Sequence, residues 1–97
     1  MIIIQISQIC GSSDISSRTK AAELRQTLIA AVIDSPVVLD FAGVRTISES
    51  FADELFGVLV ESRGDEWFRT HVRVANLDSL PRATILEAVA ERLHETA

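Results

Sequence analysis

A nearly unbroken apolar run, Val37-Val38-Leu39-Asp40-Phe41, sits directly behind Pro36 and ahead of a polar turn. Such a run is the pattern of a strand covered on both faces, as in a parallel sheet with helices above and below. Pro36 cannot continue a helix and biases the residue before it toward extended backbone, so Asp34-Ser35-Pro36 is a turn and the strand starts at once. This is the expected central strand, and the rest of the chain has to supply its neighbours.

Ile2, Ile3, Ile4, Ile6 and Ile9 are dense and β-branched, and Gly11-Ser12-Ser13-Asp14 breaks the run, which predicts a first strand over residues 2 to 9. From Ser16 or Ser17, either of which can cap a helix, Ala21, Leu24, Leu28, Ala31 and Val32 recur at helical spacing, ending near Ile33. Phe51, Leu55 and either Val58 or Leu59 mark a second helix over 50 to 62, with Gly64 as a left-handed stop. His71 to Asn76 reads as a third strand, with Val72 and Val74 inward and Arg73 outward, extendable back through Trp67 and Phe68. Ser79 and Pro81 open a last helix with Ile85, Leu86, Val89 and Leu93 on its inner face. The order βαβαβα predicts a small α/β fold with a mainly parallel sheet covered by helices.

At 97 residues there is room for one domain and one core. The net charge of −5 and the scatter of nine basic residues from Arg18 to Arg92 exclude a phosphate-tracking surface, so no nucleic-acid partner is expected. The apolar start Met1 to Ile4 is too short for a signal peptide or a membrane span. One cysteine and two distant histidines offer neither a disulfide nor a metal-ligand set, so no cofactor or metal is expected, and the chain reads as cytoplasmic.

The stretch VVLDFAGVRTISESFADELFG, Val37 to Gly57, resembles the STAS family of sulfate-transporter and anti-sigma-antagonist domains. It is most similar to the bacterial STAS-like domain family of unknown function, in which Asp-Phe ends the strand and Ser-Phe-Ala-Asp-Glu-Leu opens the helix. Here these are Asp40-Phe41 and Ser50 to Leu55, and Ser17-Arg18 before the first helix is also similar. The resemblance is most specific over these twenty-odd residues and extends by element order over nearly the whole chain. It implies a non-catalytic bacterial regulatory module that binds a protein partner, a histidine-kinase-like ATPase, through the turn and helix at 48–60. It also implies release by phosphorylation of a serine at the helix start. Aligned without gaps, Ser48 takes the place of the family's aspartate, Glu49 that of the phosphoacceptor serine, Ser50 that of the second serine and Phe51 that of the glycine. One apolar strand before the first helix, where the family has two, implies a trimmed version.

A helix N-terminus carries unpaired N–H groups and a positive dipole end, which favour the crowd of Ser48, Glu49, Ser50, Asp53 and Glu54. One reading is structural: Ser50 caps the helix and Asp53 reaches back in a near capping box. The other adds a partner-facing surface formed by Ser48, Glu49, Ser50, Phe51 and Asp53, where phosphate on Ser48 or Ser50 would repel a docked partner, or where Glu49 keeps the surface permanently negative. Asp40, Phe41 and Gly43 are expected to build the turn, with Asp40 bonding to its backbone N–H groups.

Two alternatives compete. Open sheet edges allow a self-associating subunit of a larger assembly, with a homodimer as its simplest form. Cys10, read as ending a strand before a Gly-Ser-Ser loop and a helix, suggests a phosphotransfer enzyme, although no arginine stands six residues on. Glu87, Glu91 and Glu95, with Arg92 beside them, read as a solvated stripe. Of the adjacent Trp67 and Phe68, either one sits on a docking surface or both join a second packing layer.

Overall fold

The computed structural model describes residues 2–33 and 35–96, the last two by backbone alone, so Met1, Asp34 of the expected turn and the Glu95 side chain of the expected stripe lie outside the described residues. Its elements run β1 (Ile2–Gln5), α1 (Ile6–Cys10), β2 (Asp14–Ile15), α2 (Arg18–Ala31), β3 (Val37–Asp40), β4 (Thr46–Ile47) and α3 (Glu49–Ala52). A π-helical segment (Asp53–Gly57) then joins α3 to α4 (Val58–Arg63), followed by α5 (Asp65–His71), β5 (Val72–Ala75) and α6 (Ser79–Thr96). The main sheet is fully parallel in the order β1-β3-β5, and β2 and β4 form a second, two-stranded parallel pair. The expected α/β fold, with a mainly parallel sheet and β3 at its centre, is the one observed.

Several expected boundaries shift. The first strand ends at Gln5, and Ile6 opens a helical turn closed by Gly11 at φ 68°, whose N–H bonds to the Ser7 carbonyl at 2.9 Å. Ile6, Ile9 and Cys10 sit at i, i+3 and i+4, a spacing that fits a helix as well as the β-branched run fits a strand. Ile6 is buried in either alternative, since a continued strand would set it on the core face beside Ile4; the turn closed by Gly11 makes this segment helical and leaves Ile9 exposed. The trimmed start implied by the resemblance is also corrected, because β2 stands between α1 and α2 and gives two strands before the long helix. The helix capped by Ser17, whose Oγ accepts from Lys20 N–H at 3.1 Å, stops at Ala31, two residues short of Ile33.

Trp67 and Phe68 are not strand residues. Gly64 at φ 94° ends α4 and, with Asp65 and Glu66 in the first turn, starts α5. Phe68 turns its edge to Phe56 at 5.9 Å, whereas Trp67 stacks on His71 at 4.8 Å beneath the Arg63 guanidinium. His71 closes α5 instead of opening the strand, which begins at Val72. In α6 the packed stripe is Pro81, Ile85, Ala88 and, half-buried, Val89; Leu86 and Leu93, one step further round the helix, are exposed.

Parallel register sets Ile2, Val37 and Val72 in one row and Ile4, Leu39 and Val74 in the next row on the same face. That face meets the core: Ile4, Val37, Leu39 and Val72 are buried, while Val74, on the edge strand, is 36% exposed. The other face carries Ile3, Val38 and Arg73, then Gln5, Asp40 and Ala75, and is open at Ile3, Gln5 and Arg73. The expectation of helices above and below β3 is therefore corrected. Helices fill one side, and β3 alternates buried with half-buried residues.

The core centres on the helix that follows the turn. Phe51, Leu55, Phe56 and Leu59 are fully buried, and Phe56 lies between Phe41, at 6.0 Å, and Phe68. Removing a buried phenylalanine of this kind costs about 3–5 kcal/mol.

Candidate interaction site

Phe41 follows the central strand with its N–H on the Ala75 carbonyl, and the turn behind it closes through Val44 N–H on the Phe41 carbonyl at 2.9 Å. Gly43, third in that turn, has φ 81°, a conformation that glycine adopts without a Cβ penalty. Asp40 Oδ1 accepts from Ala42 N–H and from Asn76 Nδ2, both at 2.9 Å. The Asn76 amide first, then the Ala42 N–H, hold the Asp40 carboxyl below the usual aspartate range.

The short β2–β4 pair positions the helix start. Arg45 holds Asp14 through Nε at 3.2 Å and Nη2 at 2.7 Å, Thr46 Oγ1 donates to the same carboxylate at 2.8 Å, and both lower its pKa, Arg45 the more. Ser48 N–H continues the ladder onto the Ile15 carbonyl at 2.9 Å. Its hydroxyl donates to the Ser16 carbonyl at 3.2 Å and accepts from Phe51 N–H at 3.0 Å. Ser48, not Ser50, is thus the cap, and α3 begins at Glu49. The near capping box is absent for the same reason: Asp53 lies beyond the third helical residue and is bound elsewhere.

Asp53 belongs to a charged network that local spacing does not announce. Arg92 of α6 donates Nε to Oδ1 at 2.7 Å and Nη2 to Oδ2 at 2.8 Å, and Arg18 of α2 stands 3.5 Å from Oδ2. Arg25 meets Glu54 Oε2 at 2.7 Å and also donates to the Glu54 carbonyl, with Arg18 at 3.3 Å from Oε1. Arg92 lowers the Asp53 pKa, and Arg25 lowers that of Glu54. Arg92 itself also reaches Glu61 at 3.3 Å and is held further into its charged form, chiefly by Asp53. It is half-buried in this network and is no part of a solvated stripe.

Beside the network, α2, α3 and α6 enclose a cleft of about 180 Å³ lined by Arg18, Glu49, Ser50, Asp53, Glu87 and Glu91. Four carboxylates face one guanidinium there, and Asp53 is already paired. Glu49 is exposed at the rim and Ser50 is half-buried, its hydroxyl making no hydrogen bond among the described residues. Phe51 is not on this surface: it points into the core and is fully buried, as its i, i+4 spacing with Leu55 requires. Glu87 and Glu91 are exposed, as expected of a solvated stripe, and also line the cleft.

The Cys10 architecture also changes. The thiol ends a helix, not a strand, and partial burial raises its pKa above the ordinary thiol value, which suppresses the nucleophilic thiolate. Among the described residues no three histidine, cysteine or acidic side chains converge on a point that could hold a metal ion. No described helix is long and apolar enough to cross a membrane.

No curated protein and no solved structure matches the chain. The model of the STAS-like domain of unknown function (DUF4325) matches residues 20–80, from the first turn of α2 to the first turn of α6, and so takes in the whole strand-turn-helix; the chain belongs to that family.

Proposed function

We propose that the protein is a non-catalytic regulatory module that docks a protein partner on the acidic cleft at the start of α3. One observation carries this reading: Glu49, Glu87 and Glu91 meet around a cleft at the turn through which STAS domains are expected to bind. A cleft with an excess of one sign of charge, here four carboxylates to one guanidinium, attracts a complementary segment and raises its rate of encounter. The partner has a basic docking segment, and by family resemblance it is a histidine-kinase-like ATPase.

Glu49 at the phosphoacceptor position keeps the rim negative without modification. Ser48 is committed to the cap, which leaves Ser50 as the serine of this turn with a free hydroxyl. The module is therefore constitutively competent for binding. Calorimetric titration against histidine-kinase-like ATPases of the same genome tests the reading. Binding that is lost in Glu49→Lys and Glu87→Lys and kept in Cys10→Ser is the expected result; absence of binding by the unaltered chain would overturn it. Intact-mass analysis of protein from its own cells should show no stoichiometric phosphate.

A further inference from the structure

The open face of the sheet, on the other side from the helices, has three properties that belong together. Its centre is apolar: Ile3 is 59% exposed beside half-buried Val38. Arg73, exposed in the same row, makes no ion pair or hydrogen bond among the described residues. At the carboxyl ends of β1 and β3 lies a cleft of about 140 Å³ lined by Gln5, Ser7, Gln8, Asp40 and Ala42. Asp40 Oδ1 takes both of its hydrogen bonds, so Oδ2 is without a partner among the described residues, and so are the carboxamides of Gln5 and Gln8.

A carboxylate oxygen beside two carboxamides, each of which can turn its oxygen inward, suits a guanidinium, which presents a fork of N–H donors. The same face displays one. Arg73 pairs in register with Val38, two residues before Asp40, so the two sit on a diagonal of the sheet about 7–8 Å apart. A surface that carries both halves of an ion pair on one diagonal, beside the apolar pair Ile3 and Val38, is self-complementary under a two-fold axis. We propose that this face packs against the same face of a second copy, with Arg73 of each chain entering the Asp40 cleft of the other and the Ile3 and Val38 side chains between them.

The occupant is a second copy because one face carries both the exposed guanidinium of Arg73 and the open acceptor Asp40 Oδ2, so the charge complementarity calls for no other partner. A face three short strands wide buries less than the area of a standard stable interface, so the dimer is a weak one that forms as concentration rises. This association is independent of the helix-side cleft and stands or falls separately from partner binding there.

Sedimentation equilibrium from about 5 to 500 μM tests it. The unaltered chain should pass from monomer to dimer across that range, and raising the salt to 0.5 M should weaken the association, since two ion pairs contribute. Arg73→Glu places two carboxylates together in each cleft and should raise Kd by about tenfold or more. Ile3→Ser, at an exposed position that keeps the fold, should weaken association without affecting the ion pairs. Circular dichroism of both variants should be unchanged. A chain that stays monomeric throughout, which would leave the face to a different protein, overturns the proposal. So does a dimer that survives both substitutions, which would have formed on another surface.

Discussion

Arg92 grips Asp53 across the bare backbone of Gly57. The guanidinium donates to both carboxylate oxygens at 2.7 and 2.8 Å, and a Cβ on Gly57 would stand 2.7 Å from Asp53 Oδ1 and 2.8 Å from Arg92 Cγ. The glycine is conspicuous because its backbone is ordinary right-handed helix, at φ −60°. Close approach, not conformational freedom, requires it.

Gly57→Ala should therefore destabilise the chain although alanine is the better helix former. The propensity gain of roughly 1 kcal/mol is set against an overpacking cost of about 1–3 kcal/mol. In an Arg92→Ala background, where the Cγ clash is gone and Asp53 can swing aside, the same substitution should become neutral or stabilising. Urea denaturation of the four proteins in this cycle measures the coupling, and equal effects in both backgrounds would refute it.

The acid side of the stability curve should report the Asp53 pair. Its folded pKa lies below the ordinary 3.8, so its contribution is fully present above that value and is lost as pH falls through the lowered one. Asp53→Asn should lower the urea midpoint at pH 7 and flatten the decline below pH 4. A decline as steep in the variant as in the unaltered chain would assign acid sensitivity to other carboxylates.

Capping distinguishes the two serines of the turn. Ser48→Ala should cost about 1 kcal/mol, the usual loss for a helix cap. Ser50→Ala, whose hydroxyl bonds nothing among the described residues, should stay within about 0.5 kcal/mol of the parent. Thermal melts of the two variants decide between them, and the reverse order would restore Ser50 as the cap.

Neighbouring Glu49 and Phe51 should separate just as clearly. Phe51→Ala removes a fully buried ring and should lose about 3–5 kcal/mol, leaving a chain of this size partly unfolded at 37 °C. Glu49→Gln, at an exposed position, should keep the melting temperature within a few degrees while weakening partner binding. If Phe51→Ala folded normally and lost binding alone, the ring would have to reach the surface in the bound state.

Much of this was legible along the chain. Val37 to Asp40 as the central strand, a serine cap at Ser16 or Ser17 and Gly64 as a stop all follow from local chemistry, and the motif from Asp40 to Leu55 carried the family. Two-residue strands such as β2 and β4 are too short to show a period, and the isoleucine run fits two periods, both of which bury Ile6, so only the Gly11 cap separates them. The cleft was hidden for a different reason. Asp53 and Arg92 are 39 residues apart, so nothing local announces that Arg92 leaves the exposed face of Glu87 and Glu91 to bind Asp53. Phe51 was the opposite case, since its core spacing with Leu55 was visible and should have outweighed a surface role.

The π-helical segment closes with Val58 N–H on the Asp53 carbonyl, five residues back instead of four. It therefore holds one residue more than an α turn joining the same ends, and it works as a vernier between Phe51 on one side and Leu59 on the other. Deleting one residue, Asp53 or Glu54, would let the two flanking helices fuse into one regular helix with both ends still in step, at the loss of an acidic anchor for α6 or α2. Adding one has no such outlet, and would rotate Leu59 and Val60 out of the core. Length tolerance in this helix runs in one direction only.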